Sequence, residues 1–170
     1  MTYSGLYGTR PDLLPPEIRK LRLVETEEGR ARRWVATEGF ELLSYEVNLA
    51  VQRRFITAFP ITKYWIDWAR VEPDRFMRIS PCQDVHGVAE PERLVGKWLE
   101  DFFTGFEYLY FLFENGYLPA IRAERDAVQR HLPVLIQIDP TYWICSDAHD
   151  QVLEVNLDGE AHLARVDSSS

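Results

Sequence analysis

The stretch PERLVGKWLEDFFTGFEYLYFLFEN, residues 91–115, constrains the fold more than any other part of the chain. Leu94, Val95, Trp98, Leu99, Phe102, Phe106, Leu109 and Phe113 recur at intervals of three and four, the spacing of an amphipathic helix. Pro91 suits a first helical turn. Asn115-Gly116 is a good stop, because glycine takes the left-handed position without a Cβ clash. Such a helix is apolar around much of its circumference, so it is expected to be central and contacted on two sides. Gly96 and Gly105 weaken its interior by about 1 kcal/mol each relative to alanine. Either permits a close helix contact, or Gly105 breaks the run in two.

Other segments fall around that element. Phe40, Leu43, Val47, Ala50, Val51 and either Phe55 or Ile56 lie near one helical face, and Pro60 ends or bends that run. Thr62 is read as the cap of a shorter helix, KYWIDWARV, whose Trp65, Trp68 and Ala69 share a side. AIRAERDAVQRHL is a charged amphipathic helix ended by Pro133. The tail then turns to short β-rich runs, LIQI, TYWICS, QVLEV and HLARV, punctuated by DAHD and NLDGE. Earlier, LRLVE and RRWVAT suit a hairpin about the EEG turn. DRFMRIS reads as extended and PCQDVHG as a loop. The expected fold is a single α+β domain over residues 1–170. It has an irregular segment at 1–16 and a β-meander at 133–167. Its helices surround one long central helix, packed on a C-terminal antiparallel sheet of three to four strands.

Length and composition bound the classes. A chain of 170 residues fits one domain and buries a sizeable core. Trp, Tyr and Phe number 5, 8 and 9, more rings than a disordered chain carries. The formal charge is -8, and it is uneven. Residues 131–170 hold Asp139, Asp147, Asp150, Glu154, Asp158, Glu160 and Asp167 against the single Arg165, a balance of -6. Such a surface repels phosphate backbones and attracts a basic partner. Arg19, Lys20, Arg22, Arg30, Arg32 and Arg33 are interleaved with Glu17, Glu25, Glu27 and Glu28, so their field largely cancels and nucleic acid is not the expected partner. Cys82 and Cys145 are too few and too far apart for a disulfide scaffold and read as free thiols, although one bond between them would also satisfy the sequence. No signal peptide and no run of membrane-spanning length are read, so the expected location is the cytoplasm, with no membrane partner.

Motifs for chemistry are sparse. Cys145, Asp147, His149 and His162 are the enzyme candidates, because a thiol beside an imidazole with an orienting carboxylate makes a nucleophile. The alternative for this stretch is a buried Cys145 in a strand and a solvent-facing His149 at a turn. Two C-x3-H pairs, Cys82 with His86 and Cys145 with His149, offer the one Cys2His2 metal constellation. The carboxylate pairs Asp147 with Asp150, and Glu107 with Glu114, are also read more simply, as turn and surface residues. No phosphate-binding glycine loop or metalloprotease motif occurs. No catalytic residue, metal or cofactor is assigned.

LPPEIRK, residues 14–20, resembles the early segment of a broad group of bacterial immunity proteins. The resemblance covers fewer than ten residues, and the chain departs from that group in closing on strands without a clear final helix. It implies an inhibitor-like, immunity-type role. Charge and rings lead to a matching expectation: a non-enzymatic protein-binding domain that presents an acidic, tyrosine-rich surface to a basic partner. Its interface candidates are Tyr64, Trp68, Tyr108, Tyr110, Tyr117, Asp147, Asp150, Asp158 and Glu160. Two alternatives stand beside it. One is a small-molecule-binding domain or hydrolase-like enzyme with a cleft near the C-terminal sheet. The other is a structural homo-oligomer or homodimer joined through the aromatic stripe.

Overall fold

A computed structural model describes residues 8–20, 22–25, 32–62, 65–71, 76–78 and 84–166. After a short 3-10 turn at Pro11–Leu13 the chain forms β1 (Arg22–Glu25), β2 (Arg32–Val35), β3 (Phe40–Leu42) and α1 (Tyr45–Ala58). Three short strands follow, β4 (Ile61–Thr62), β5 (Trp65–Ile66) and β6 (Phe76–Arg78). Then come α2 (Pro91–Phe102), β7 (Tyr108–Phe113), β8 (Ile121–Glu124), α3 (Arg125–Leu135), β9 (Tyr142–Ser146), β10 (Gln151–Val155) and β11 (Ala161–Val166). Among the described residues the main sheet has nine strands, in the order β1-β2-β3-β8-β7-β9-β10-β11-β6. Its neighbours pair antiparallel throughout. β4 and β5 form a separate hairpin.

The sheet is covered on both sides. Leu109, Phe111 and Phe113 of β7, Tyr142 and Ile144 of β9, and Leu153 and Val155 of β10 join one core. Val95 and Leu99 of α2 and Val128, Leu132 and Leu135 of α3 pack into that same core. The intervening residues Leu112, Trp143, Cys145 and Val152 face a second core with Val51 and Phe55 of α1 and Ile66 of β5. The alternation follows from the strand period of two. With both faces buried, β7 and β9 read as continuous apolar runs rather than as alternating ones.

That double burial corrects the expected long central helix and the small C-terminal sheet. The run 91–115 is two elements, α2 and β7, broken where Gly105 adopts φ 93. An unbroken apolar run satisfies helical spacing as easily as strand spacing, so periodicity alone chose wrongly. Among the described residues the sheet has nine strands because the chain before residue 133 supplies six of them.

Smaller boundaries shift for local reasons. Phe40–Leu42 pairs with β8 before α1 begins, and Ser44 caps α1 by accepting from the Val47 N–H at 3.5 Å. KYWIDWARV contributes β5 and a following turn instead of a helix, with Thr62 lying in β4. Ile121–Glu124 is strand, α3 starts at Arg125, and Pro133 lies inside its last turn. LIQI is the end of α3 and a turn, not a strand. LRLVE and RRWVAT do pair as β1 and β2. Among the described residues no helix is long and apolar enough to cross a membrane.

Candidate functional site

The β10–β11 hairpin is built around Asn156. Its Oδ1 accepts from the backbone N–H of Asp158 and of Glu160, each at 3.0 Å, an Asx-type turn that closes NLDGE. Its Nδ2 donates to Glu160 Oε2 at 3.3 Å. This sets Asp158 and Glu160 beside each other at the end of the hairpin. The β4–β5 hairpin lies over the same end, fixed where the Asp67 N–H donates to the Pro60 carbonyl at 2.7 Å. A cleft of about 380 Å3 opens between the two hairpins, lined by Trp65, Asp67, Trp68, Asp158 and Glu160, with Glu154 and His162 as its inner residues.

Glu154 is completely buried. Its Oε1 accepts from Trp68 Nε1 at 3.0 Å, and its Oε2 accepts from Trp143 Nε1 at 2.9 Å and from the Ile66 N–H. Three N–H donors are what a buried carboxylate needs to remain in place. His162 is the register partner of Glu154 on β11. Its ring lies 5.6 Å from that of Trp68, and its Nε2 is 3.7 Å from Glu160 Oε2. Among the described residues no lysine or arginine lines the cleft, and no cation pairs with Asp67 or Asp158.

Cys145, Asp147 and His149 lie around the other end of β10. Cys145 is wholly buried against α1, and burial pushes its thiol pKa far up, the nearby Asp147 adding to the rise. It is therefore kept as a thiol, which is a poor nucleophile. His149 is also buried rather than solvent-facing, at φ 57, with its ring 5.5 Å from Tyr110. Its Nδ1 is 3.1 Å from the Asp147 carbonyl, while Nε2 has no hydrogen-bond partner among the described residues. Burial lowers the His149 pKa and Arg54 lowers it further, against the weaker pull of the Asp147 and Val51 backbones and Asp150. Asp147 has its pKa raised by burial, opposed by Arg122. The Arg122 guanidinium sits 3.7 Å above the Tyr108 ring, 3.5 Å from Glu41 and 3.7 Å from Asp147.

The sequence candidates thus fall in separate places. Trp68, Asp158, Glu160 and His162 meet at the cleft. Tyr108, Tyr110, Asp147 and Asp150 gather near the β9–β10 turn, where the Ser146 hydroxyl donates to Asp150. Tyr117 is exposed in the turn between β7 and β8, its carbonyl accepting from the Arg10 N–H at 3.0 Å. Tyr64 and Cys82 lie outside the described residues. His86 is exposed beside the β10–β11 turn, whereas His149 is at the opposite end of β10, so the two histidines of the proposed metal set do not converge. Among the described residues no group of three or more His, Cys, Asp or Glu is placed to hold a metal. Asp139 is no surface acid: it is buried, accepting from the N–H groups of Asn115 and Thr141.

Trp65, Asp67, Asn156 and Glu154 were not among the candidates. Glu154 in QVLEV reads as a surface acid until the strand is known to be buried on both faces. Trp65 and Asp67 were hidden by the helical reading of KYWIDWARV. No protein-family model matches the chain, and no curated protein matches it.

Proposed function

We propose that the protein is a non-enzymatic binding domain of the inhibitor or immunity type, which engages a basic protein partner through an acidic surface. One observation carries the reading. Asp67, Asp158 and Glu160 rim a cleft walled by Trp65 and Trp68 and, among the described residues, lined by no lysine or arginine. A carboxylate-lined cleft speeds encounter with a basic surface and selects against acidic ones. Among the described residues the rings at this place are Trp65 and Trp68, the latter an interface candidate of the sequence reading, and indoles are favoured anchors at protein interfaces. The burial of Cys145 supports a binding role over a thiol-dependent one.

The test compares the protein with a variant carrying Asp67→Asn, Asp158→Asn and Glu160→Gln. Both are immobilised and exposed to a defined panel of basic and acidic polypeptides at low and high salt. The expected result is binding of basic members that weakens with salt and is lost in the variant. Equal retention of basic and acidic members, or equal binding by the variant, rules the reading out.

A further inference from the structure

We infer that the cleft between the β4–β5 and β10–β11 hairpins is an anchoring subsite for an arginine side chain of the partner. This rests on the reading of the protein as a binder of basic proteins, and it names the group that is held.

The cleft is a half-open recess between two hairpins, and two indoles line it beside the carboxylates. Its volume of about 380 Å3 is at the small end of ligand pockets, ample for a whole extended side chain and too small for a folded element. The indole of Trp68 is held before any ligand arrives, because its Nε1 is tied to Glu154 at 3.0 Å. A ring already fixed costs no further ordering on binding. Glu154 already accepts from at least three N–H donors, so direct contacts to a ligand fall to the other carboxylates of the cleft. Asp67 and Asp158 are different. Neither carboxylate has a hydrogen-bond or ion-pair partner among the described residues, so both keep acceptor capacity for an incoming donor.

This geometry discriminates among cations. A metal needs several ligands converging at short range, and among the described residues no such group is present. An ammonium is a compact, strongly hydrated point charge with three donors. A guanidinium is planar and weakly hydrated, carries five donors, and stacks on aromatic rings. A cleft lined by two indoles and by carboxylates that do not converge as metal ligands matches the last of these. Guanidinium and aromatic ring are also brought together elsewhere in the chain, where Arg122 lies over the Tyr108 phenol ring with Glu41 and Asp147 as its acids.

The experiment follows the indole N–H signals in nitrogen-15 NMR spectra of the full chain. The probes are N-acetyl-arginine methylamide and N-acetyl-lysine methylamide. Assignment uses Trp65→Phe and Trp68→Phe. The arginine probe should shift the Trp65 and Trp68 signals saturably at millimolar concentrations, with the lysine probe several-fold weaker. Asp67→Asn and Asp158→Asn should each weaken arginine binding about tenfold, the loss of one charge-assisted contact, with unfolding midpoints unchanged. No saturable shift with arginine overturns the inference. So does an equal response to lysine. If basic polypeptides still bind while arginine shifts nothing, the subsite fails and the broader binding role stands. If arginine binds but no basic polypeptide does, the cleft serves a free guanidino compound and the partner reading falls.

Discussion

Trp143 Nε1 donates to Glu154 Oε2 at 2.9 Å straight across the β9–β10 ladder, where the two residues are register partners. The same carboxylate takes Trp68 Nε1 and the Ile66 N–H, so one buried acid ties the β4–β5 hairpin and the turn after it to the main sheet. Replacing it removes the acceptor for three donors at once. Glu154→Ala leaves buried N–H donors without their acceptor and should cost about 3 kcal/mol or more, at about 1–3 kcal/mol for each unsatisfied donor. Glu154→Gln keeps one acceptor oxygen but turns an amide N–H2 toward an indole donor, and should cost about 1–3 kcal/mol. Urea denaturation of the two variants checks the order. A Glu154→Ala protein as stable as the wild type would show that the carboxylate does not hold the hairpin.

His149 should make stability fall on mild acidification. Its usual value is 6.5, and in the folded protein burial first, and Arg54 second, hold its pKa lower. Well above 6.5 the ring is neutral in both states and contributes nothing. As pH falls below that value the unfolded chain takes up the proton and the folded chain does not, so folding loses free energy until the folded pKa is passed. Asp147 and Glu114 work in the opposite direction and lower down. Their folded pKa values are raised, so the folded state binds those protons first. His149→Asn keeps a residue that tolerates φ 57 and should flatten the loss between about pH 7.5 and pH 5.5. Unfolding midpoints across that interval, wild type against variant, give the answer. Parallel curves would assign the acid sensitivity to other groups.

Strands that alternate with clear turns were legible in the sequence. TYWICS, QVLEV and HLARV became β9, β10 and β11, because DAHD and NLDGE mark their ends unambiguously. Residues 108–113 were not legible. FEYLYFLF is apolar at nearly every position since both sheet faces are covered, and a run without polar positions carries no period to read. The site was half legible for a related reason. Asp158 and Glu160 stand out in a turn, but Glu154 is distinguishable from a surface acid only once β10 is known to be buried on both sides. Pairing across 88 residues, from Ile66 to Glu154, leaves no trace in local spacing.

Gly105 and Gly39 should respond differently to the same change. Gly105 has φ 93 and nothing within 4 Å of an added Cβ, so Gly105→Ala meets only backbone strain. A cost of about 1–2 kcal/mol is expected. Gly39 has φ 80, and its added Cβ would stand 2.6 Å from the Ala127 Cβ on α3. Gly39→Ala therefore adds a steric clash between the β2–β3 turn and a helix to the same strain, and should cost more. Chemical denaturation of both variants ranks them. A Gly105→Ala protein less stable than Gly39→Ala would mean that the break between α2 and β7 is more tightly determined than its open surroundings imply.

Cys145 provides a direct test of the thiol-enzyme alternative. The side chain is completely buried in β9 between Trp143 and Val152 neighbours, and its pKa is driven up by burial. A thiol that neither reaches solvent nor ionises cannot attack a substrate or a labelling reagent. In a Cys82→Ser background, Cys145 should stay unmodified by iodoacetamide in the folded protein and react at the ordinary rate in denaturant. At intermediate denaturant its labelling should follow the unfolded fraction, because strand-centre residues are exposed only by global opening. The same measurement separates two structural possibilities. If labelling runs ahead of unfolding, α1 lifts from the sheet as a local event, exposing Cys145, Tyr110 and His149 together. If labelling is rapid in the native protein, Cys145 is reachable and the thiol chemistry dismissed on burial returns as the leading alternative.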